Sequence, residues 1–190
     1  NRWWSRWGVT PGNVALGSGL LGVDAAAVTD AIGIGGNAAD RVAGTPALIT
    51  LAAEQRVATV VSHTPANQTF TVQNANHGFQ MGDVLVVCGQ DSDMVSMARA
   101  GGAGVGTVRM AGLFQMTNAG GGTTIRNAVG GAPGNASSNL GPGGSVFTYG
   151  PNASISRVQA SVWYVGNGTD PANGRSLYQL NLIANGGTIA

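Results

Sequence analysis

The sequence predicts a predominantly β domain of antiparallel strands. Three features carry that expectation. Several short runs alternate apolar and polar residues, which gives a pleated strand one greasy side and one wet side. Clusters of Gly, Asn, Pro and Asp separate those runs, and these residues favour turns. No long stretch repeats its apolar residues with the period of an amphipathic helix.

Composition narrows the class. The chain has 190 residues with nine Arg, no Lys and eight acidic residues, for a formal charge of +1. Charged residues are 9% of the chain, against about 25% in an ordinary domain. With 43% hydrophobic residues it is not a charged disordered tail. Its 32 glycines follow no three-residue period, which excludes collagen. Without a basic excess it is not a dedicated electrostatic nucleic-acid binder. A surface of neutral polar groups has little charge repulsion and tends to associate. That points to an assembled or extracytoplasmic protein. The length fits one domain with a sizeable core. Residues 1–45 read as an irregular Gly/Ala-rich segment, and 46–190 as the β-rich part.

The N-terminal part offers few elements. The opening Arg2-Trp-Trp-Ser-Arg-Trp7 holds three of the four tryptophans; such a mix of cations and aromatics suits base stacking or a membrane interface, but reads first as packing on the rest of the domain or on a missing preceding helix. Residues 17–22 and 33–36 read as loop. Residues 25–32 suggest a short helix with Asp24 as its N-cap. From Pro46 strands take over. Residues 47–51 and 57–61 are two short β-rich runs. In 69–73, Phe70 and Val72 share one side while Thr69, Thr71 and Gln73 share the other. Residues 83–88, Asp-Val-Leu-Val-Val-Cys, form a continuous apolar run expected of a strand covered on both faces. Cys88 cannot form an intramolecular disulfide within this chain, and at the end of that run it reads as a small buried hydrophobe.

The second half repeats the pattern. Residues 99–111 are a Gly-rich excursion. Residues 113–117 alternate, with Phe114 and Met116 together. Residues 118–145, rich in glycine, read as one long loop. Val158, Ala160, Val162 and Tyr164 then line one face, with Arg157, Gln159 and Ser161 on the other. After a polar turn at 167–174, Tyr178, Leu180 and Leu182 continue that face, which predicts a hairpin. Each greasy face needs a cover, and no helix in the chain supplies one.

Catalytic and metal chemistry find little to stand on. His63 and His77 lie beside turn residues and, with a single Cys, make no zinc set. Asp91 and Asp93 are the only close acidic pair. The sole Glu, Glu54, lies upstream of them, so they read as a turn and not as a calcium loop. Residues 101–106, Gly-Gly-Ala-Gly-Val-Gly, lack a P-loop lysine. No Gly-x-Ser-x-Gly elbow occurs. The expectation is no catalytic, cofactor or metal residue, and no small-molecule substrate. Four Asn-x-Ser/Thr sequons, at Asn67, Asn135, Asn152 and Asn167, are cheap matches in so Asn-rich a chain. No apolar run is long enough for a membrane span. Asn1 is not an initiator Met, so the chain reads as processed, trimmed or a fragment.

Three segments, in order, resemble the globular region of PilW-type minor pilins of the type IV pilus. Residues 78–88, Gly-Phe-Gln-Met-Gly-Asp-Val-Leu-Val-Val-Cys, resemble that family's Gly-Asp-hydrophobic-Cys strand. Residues 113–117, Leu-Phe-Gln-Met-Thr, resemble its hydrophobic-Phe-Gln-Val-Thr strand. Trp163-Tyr-Val-Gly166 and Ser176-Leu-Tyr178 resemble its two closing strands, with Gln179 where the family usually has Arg. The resemblance spans roughly residues 46–182.

It implies an α+β pilin fold whose antiparallel sheet packs on an N-terminal helix missing from this chain. It also implies a non-enzymatic role. That role is priming pilus assembly at the inner membrane and periplasm, then sitting at the cell-surface filament tip. The implied partners are other minor pilins, the major pilin and a PilY-type adhesin. The J-type pseudopilin of type II secretion is the nearest alternative, and a secreted adhesin or carbohydrate-binding module using Trp3, Trp4 and Trp163 is the other. Val84, Leu85, Val86, Phe114, Val158, Val162, Tyr164, Tyr178 and Leu180 are the expected fold-holding residues. The stretches 99–111 and 118–145 are the expected partner contacts, since long loops on a rigid sheet carry binding.

Overall fold

The computed structural model describes residues 20–23, 33–90, 94–98, 105–141, 144–169, 174–182, 184–185 and 188–189. It is mostly antiparallel β-sheet. Among the described residues the only helical turn is a 3-10 turn at Pro65–Asn67. The strands are β1 (Leu20–Val23), β2 (Ala47–Thr64), β3 (Thr69–Val72), β4 (Val84–Cys88), β5 (Met94–Ala98) and β6 (Val105–Arg109). They continue with β7 (Ala111–Gln115), β8 (Thr124–Arg126), β9 (Ser154–Asn167), β10 (Arg175–Asn181), β11 (Ala184–Asn185) and β12 (Thr188–Ile189). The suggested helix at 25–32 and the Trp3–Trp7 cluster lie outside the described residues.

Contacts group into two compact units. One comprises Asn1–Ala52 and Gln159–Leu182, the other Ala53–Val158 and Ile183–Ala190. Both β2 and β9 therefore give one part to each unit. The compositional boundary at 45–46 falls inside the first unit.

In the larger unit the strands lie in the order β7-β4-β9-β2-β3-β8. Phe70 of β3 stacks on Phe114 of β7 with ring centroids 5.2 Å apart, although three strands separate them in that order. The sheet must therefore curl. The Thr117 amide, just past β7, donates to the Arg126 carbonyl of β8 at 2.9 Å, which ties the two ends together. Inside lie Phe70, Leu85, Val87, Met116, Ile125 and Ile155, each fully buried. Tyr149 and Leu140 join them from the connection before β9, and the Tyr149 hydroxyl donates to the Leu140 carbonyl. The expectation that every greasy face awaits a missing helix is overturned here. The curled sheet and that connection cover this core themselves.

One bulge makes this possible. Between Val60 and Ser62 the β2–β3 register shifts by one residue. The extra residue, Val61, stays exposed, and both Val60 and His63 then point inward. Strict alternation would put them on opposite faces.

The smaller unit holds a second core of Ala47, Ile49, Ala160, Val162 and Tyr164, with Leu51, Tyr178, Leu180 and Leu182 half-buried against it. The predicted hairpin is present, with β10 antiparallel to β9 and Tyr178 opposite Tyr164, Leu180 opposite Val162. The two tyrosine rings stack at 5.5 Å. Gly166 is needed beneath that stack, because a Cβ there would lie 2.7 Å from the Tyr178 ring.

Several expectations need correction. The runs at 47–51 and 57–61 are one strand of 18 residues. They looked separate because the inward residues change parity, from Ala47 and Ile49 to Ala58 and Val60. Leu20–Val23 is a strand paired with β2, not loop. Part of the excursion at 99–111 is β6, paired with β5. The loop at 118–145 contains β8, paired with β3. Strand β4 is covered less evenly than predicted: Val84, Leu85 and Val87 are buried, Val86 is half-buried and Cys88 is exposed.

Replacing Phe70 by Ala empties the middle of the larger core. We expect a loss of about 3–5 kcal/mol in urea unfolding. Gly166→Ala, in the smaller unit, is expected to displace the Tyr178 ring, read as loss of near-ultraviolet tyrosine dichroism.

Candidate functional site

Two polar clusters fix the loops of the larger unit, and one open concavity faces solvent. The first cluster centres on Arg157. Its Nε donates to Asp83 Oδ2 at 2.8 Å, its Nη1 to Glu54 Oε1 at 3.1 Å, and its Nη2 to the Gly78 carbonyl at 2.9 Å. Asp83 Oδ2 also accepts from the Gln80 amide. The guanidinium carbon lies 6.0 Å from the Phe79 ring centre. Burial alone would lower the Arg157 pKa, but the bonds and charges of Asp83 and Glu54 raise it above its ordinary value. This arrangement pins the 78–83 turn to β9. With every guanidinium nitrogen and one carboxylate oxygen of Asp83 so engaged, it is a brace and offers no acid–base pair.

The second cluster fixes the glycine-rich stretch. The Asn135 side chain accepts from the Gln115 amide at 2.7 Å and donates to the Gln115 carbonyl at 2.9 Å. One side-chain amide thus pairs with β7 as a neighbouring strand would. Gln115 answers with its own side chain, donating to the Gly82 carbonyl and accepting from the Gly134 amide. Asn118 clamps β8 from outside, accepting from the Arg126 amide and donating to the Thr124 carbonyl. Asn127, fully buried, donates to the Ser138 carbonyl. The stretch expected to be a partner-contact loop is therefore braced at Asn118, Asn127 and Asn135. Residues 99–104 lie outside the described residues.

His63 and His77 are both buried. The His63 ring stacks on Phe70 at 3.9 Å, nearly parallel, and its Nδ1 accepts from the Tyr149 amide. A proton on Nδ1 would oppose that amide. Burial lowers the His63 pKa to about 4. His77 Nδ1 accepts from the Phe79 amide. Burial also lowers its pKa, against a smaller opposing pull from the Gly122 backbone. Both rings are neutral packing elements. Among the described residues no group of three His, Cys, Asp or Glu side chains gathers as a metal site. Asp91 and Asp93 lie outside the described residues.

Cys88 is exposed at the end of β4. Desolvation pushes its thiol above the ordinary value, so it stays protonated near neutral pH. Trp163 is partly exposed on β9, and Leu177 is 68% exposed on β10. Two sequons are structurally committed: the Asn135 amide as above, and Asn167 Nδ2 donating to the Gly35 and Asn37 carbonyls. Asn67 and Asn152 are exposed.

The concavity has a volume of about 670 Å³ and is lined by Ala66, Asn67, Gln68, Thr69, Thr71, Thr124 and Arg126. Cross-strand register produces it. Thr71 lies opposite Thr124 and Thr69 opposite Arg126, on the outer side of the strands whose inner side carries Phe70 and Ile125. The sequence placed Thr69 and Thr71 on a wet face but gave no signal that β8 lies beside them.

Compared with protein-family models, with curated proteins and with solved structures, the chain matches none.

The His63 shift sets a pH dependence. The unfolded chain takes up its proton near 6.5 and the folded chain near 4, so unfolding binds more protons between those values. Stability is full above pH 6.5 and falls as pH drops towards 4, by roughly 2–3 kcal/mol from this residue. His63→Phe should flatten that part of the urea-midpoint profile. Arg157→Lys cannot reproduce the three-way fork, and we expect it to cost about 1–3 kcal/mol in the same assay.

Proposed function

We propose that this chain is the globular region of a PilW-type minor pilin, a non-catalytic part of the type IV pilus priming and tip complex. One observation supports the reading most. The segments that resemble the family pair two by two as neighbouring strands. The 84–88 segment is β4, the 113–117 segment begins within β7, and β4 pairs with β7 on one side and with β9 on the other. The 163–166 and 176–178 segments pair with each other as β9 and β10. Within each unit the family-like segments thus share a hydrogen-bonded ladder, 84–88 with 113–117 and 163–166 with 176–178.

In this reading the chain acts by surface complementarity to other minor pilins, the major pilin and a PilY-type adhesin. A helix preceding Asn1 would anchor it in the inner membrane before assembly and in the filament afterwards. The exposed Leu177 and partly exposed Trp163 of the smaller unit suit packing against such neighbours. The protein would move from the inner membrane and periplasm to the cell-surface pilus.

The coding sequence upstream of Asn1 tests this directly. We expect a short leader, then Phe and about twenty apolar residues. An unrelated domain there overturns the proposal. Deleting the gene should abolish surface pili and leave type II secretion intact. Loss of secretion with normal pili would assign the chain to the J-type pseudopilins instead.

A further inference from the structure

The outer face of β3 and β8 carries polar chemistry on which the proposed pilin role does not rest. Thr69, Thr71 and Thr124 present a patch of hydroxyls, Asn67 and Gln68 add amides at one end, and Arg126 supplies the only charge in the lining. Among the described residues Arg126 has no ion-pair partner, and no acidic side chain lines the concavity.

The frame around it is rigid. The Arg126 amide donates to Asn118 Oδ1, and its carbonyl accepts from both the amide and the hydroxyl of Thr117. The Gln68 amide donates to the Pro65 carbonyl, and the Gln68 carbonyl accepts from the Asn127 amide. Both walls are thus set before any ligand arrives, which lowers the ordering cost of binding.

The lining selects a ligand class. Threonine hydroxyls and carboxamides both donate and accept, which suits a polyhydroxylated ligand. A single planar guanidinium suits a single carboxylate, gripped by two parallel N–H donors. One cation is too little for a nucleic-acid backbone, and the lining has no apolar pocket to anchor a peptide side chain. We propose that this concavity binds a carboxylate-bearing saccharide, a hexuronate unit of an acidic polysaccharide. Arg126 holds the carboxylate, and Thr71, Thr124 and Gln68 hold neighbouring hydroxyls. The site is open and has no aromatic platform, so single-site affinity is weak, on the order of 1 mM. Repetition of the chain or of the polysaccharide unit would raise avidity.

The test is a titration of the isotope-labelled chain, followed by amide resonances, with trigalacturonate, a neutral galactose trimer and inorganic phosphate. With trigalacturonate, shifts should cluster at Gln68, Thr69, Thr71, Thr124 and Arg126. The neutral trimer and phosphate should bind at least about tenfold more weakly. Arg126→Gln, at an exposed position, should keep the remaining spectrum and lose at least about tenfold in affinity. Thr71→Val should weaken binding and leave the fold unchanged, which keeps the test valid if the arginine variant disturbs β8. Absent or scattered shifts, equal binding of the neutral trimer, phosphate reproducing the same shifts, or unaltered binding by Arg126→Gln would each overturn the proposal. These outcomes bear on the concavity alone, because the upstream-sequence and pilus tests do not involve it.

Discussion

Phe70 lies between His63 and Phe114, and that three-ring stack requires β3 and β7 to meet although they sit far apart in the sheet order. The constraint has two local causes. The Val61 bulge turns His63 inward next to Val60, and bulges increase twist in the strand that carries them. Glycine at position 112 of β7 lets Leu140 and Tyr149 close over the stack, since a Cβ there would lie 2.9 Å from each. With those rings in place, the wet face of β3 and the outer face of β8 are fixed as well. The interior therefore determines the surface geometry at Thr69, Thr71 and Arg126.

Local pattern was legible where each strand obeyed one parity. The alternation of Phe70 and Val72, and of Val158 through Tyr164, matched the buried faces, and so did the β9–β10 hairpin register. Reading failed where parity changed. Within β2 the inward set switches from odd to even, and a period-two search takes the switch for a break. Reading also failed where side chains replaced strands. A glycine-rich stretch with few apolar groups gives no hydrophobic period, yet Asn118 and Asn135 supply the hydrogen bonds a neighbouring strand would supply. Nothing in one sequence marks an asparagine for that duty. The concavity was hidden for the same reason, because β8 has only three residues and Ile125 is its single inward one.

The low charge of the chain acquires a structural meaning. The charged network of Arg157 with Asp83 and Glu54, joined by the Gly78 carbonyl, is spent on holding a turn. The outer surface relies on amides and hydroxyls. Desolvating a neutral amide costs less than desolvating a carboxylate or ammonium, so such a surface is cheaper to cover.

The commitment of Asn135 and Asn167 has a practical corollary for recombinant production. Sugar attachment in a eukaryotic secretory route acts on the Asn side-chain nitrogen while the chain is still emerging. At Asn135 that nitrogen is the one that later donates to the Gln115 and Ala128 carbonyls. A bulky oligosaccharide there would arrive before the loop closes and bar it from closing. A yeast or mammalian secretion host would thus yield misassembled material unless Ser137 is first removed from the acceptor triplet.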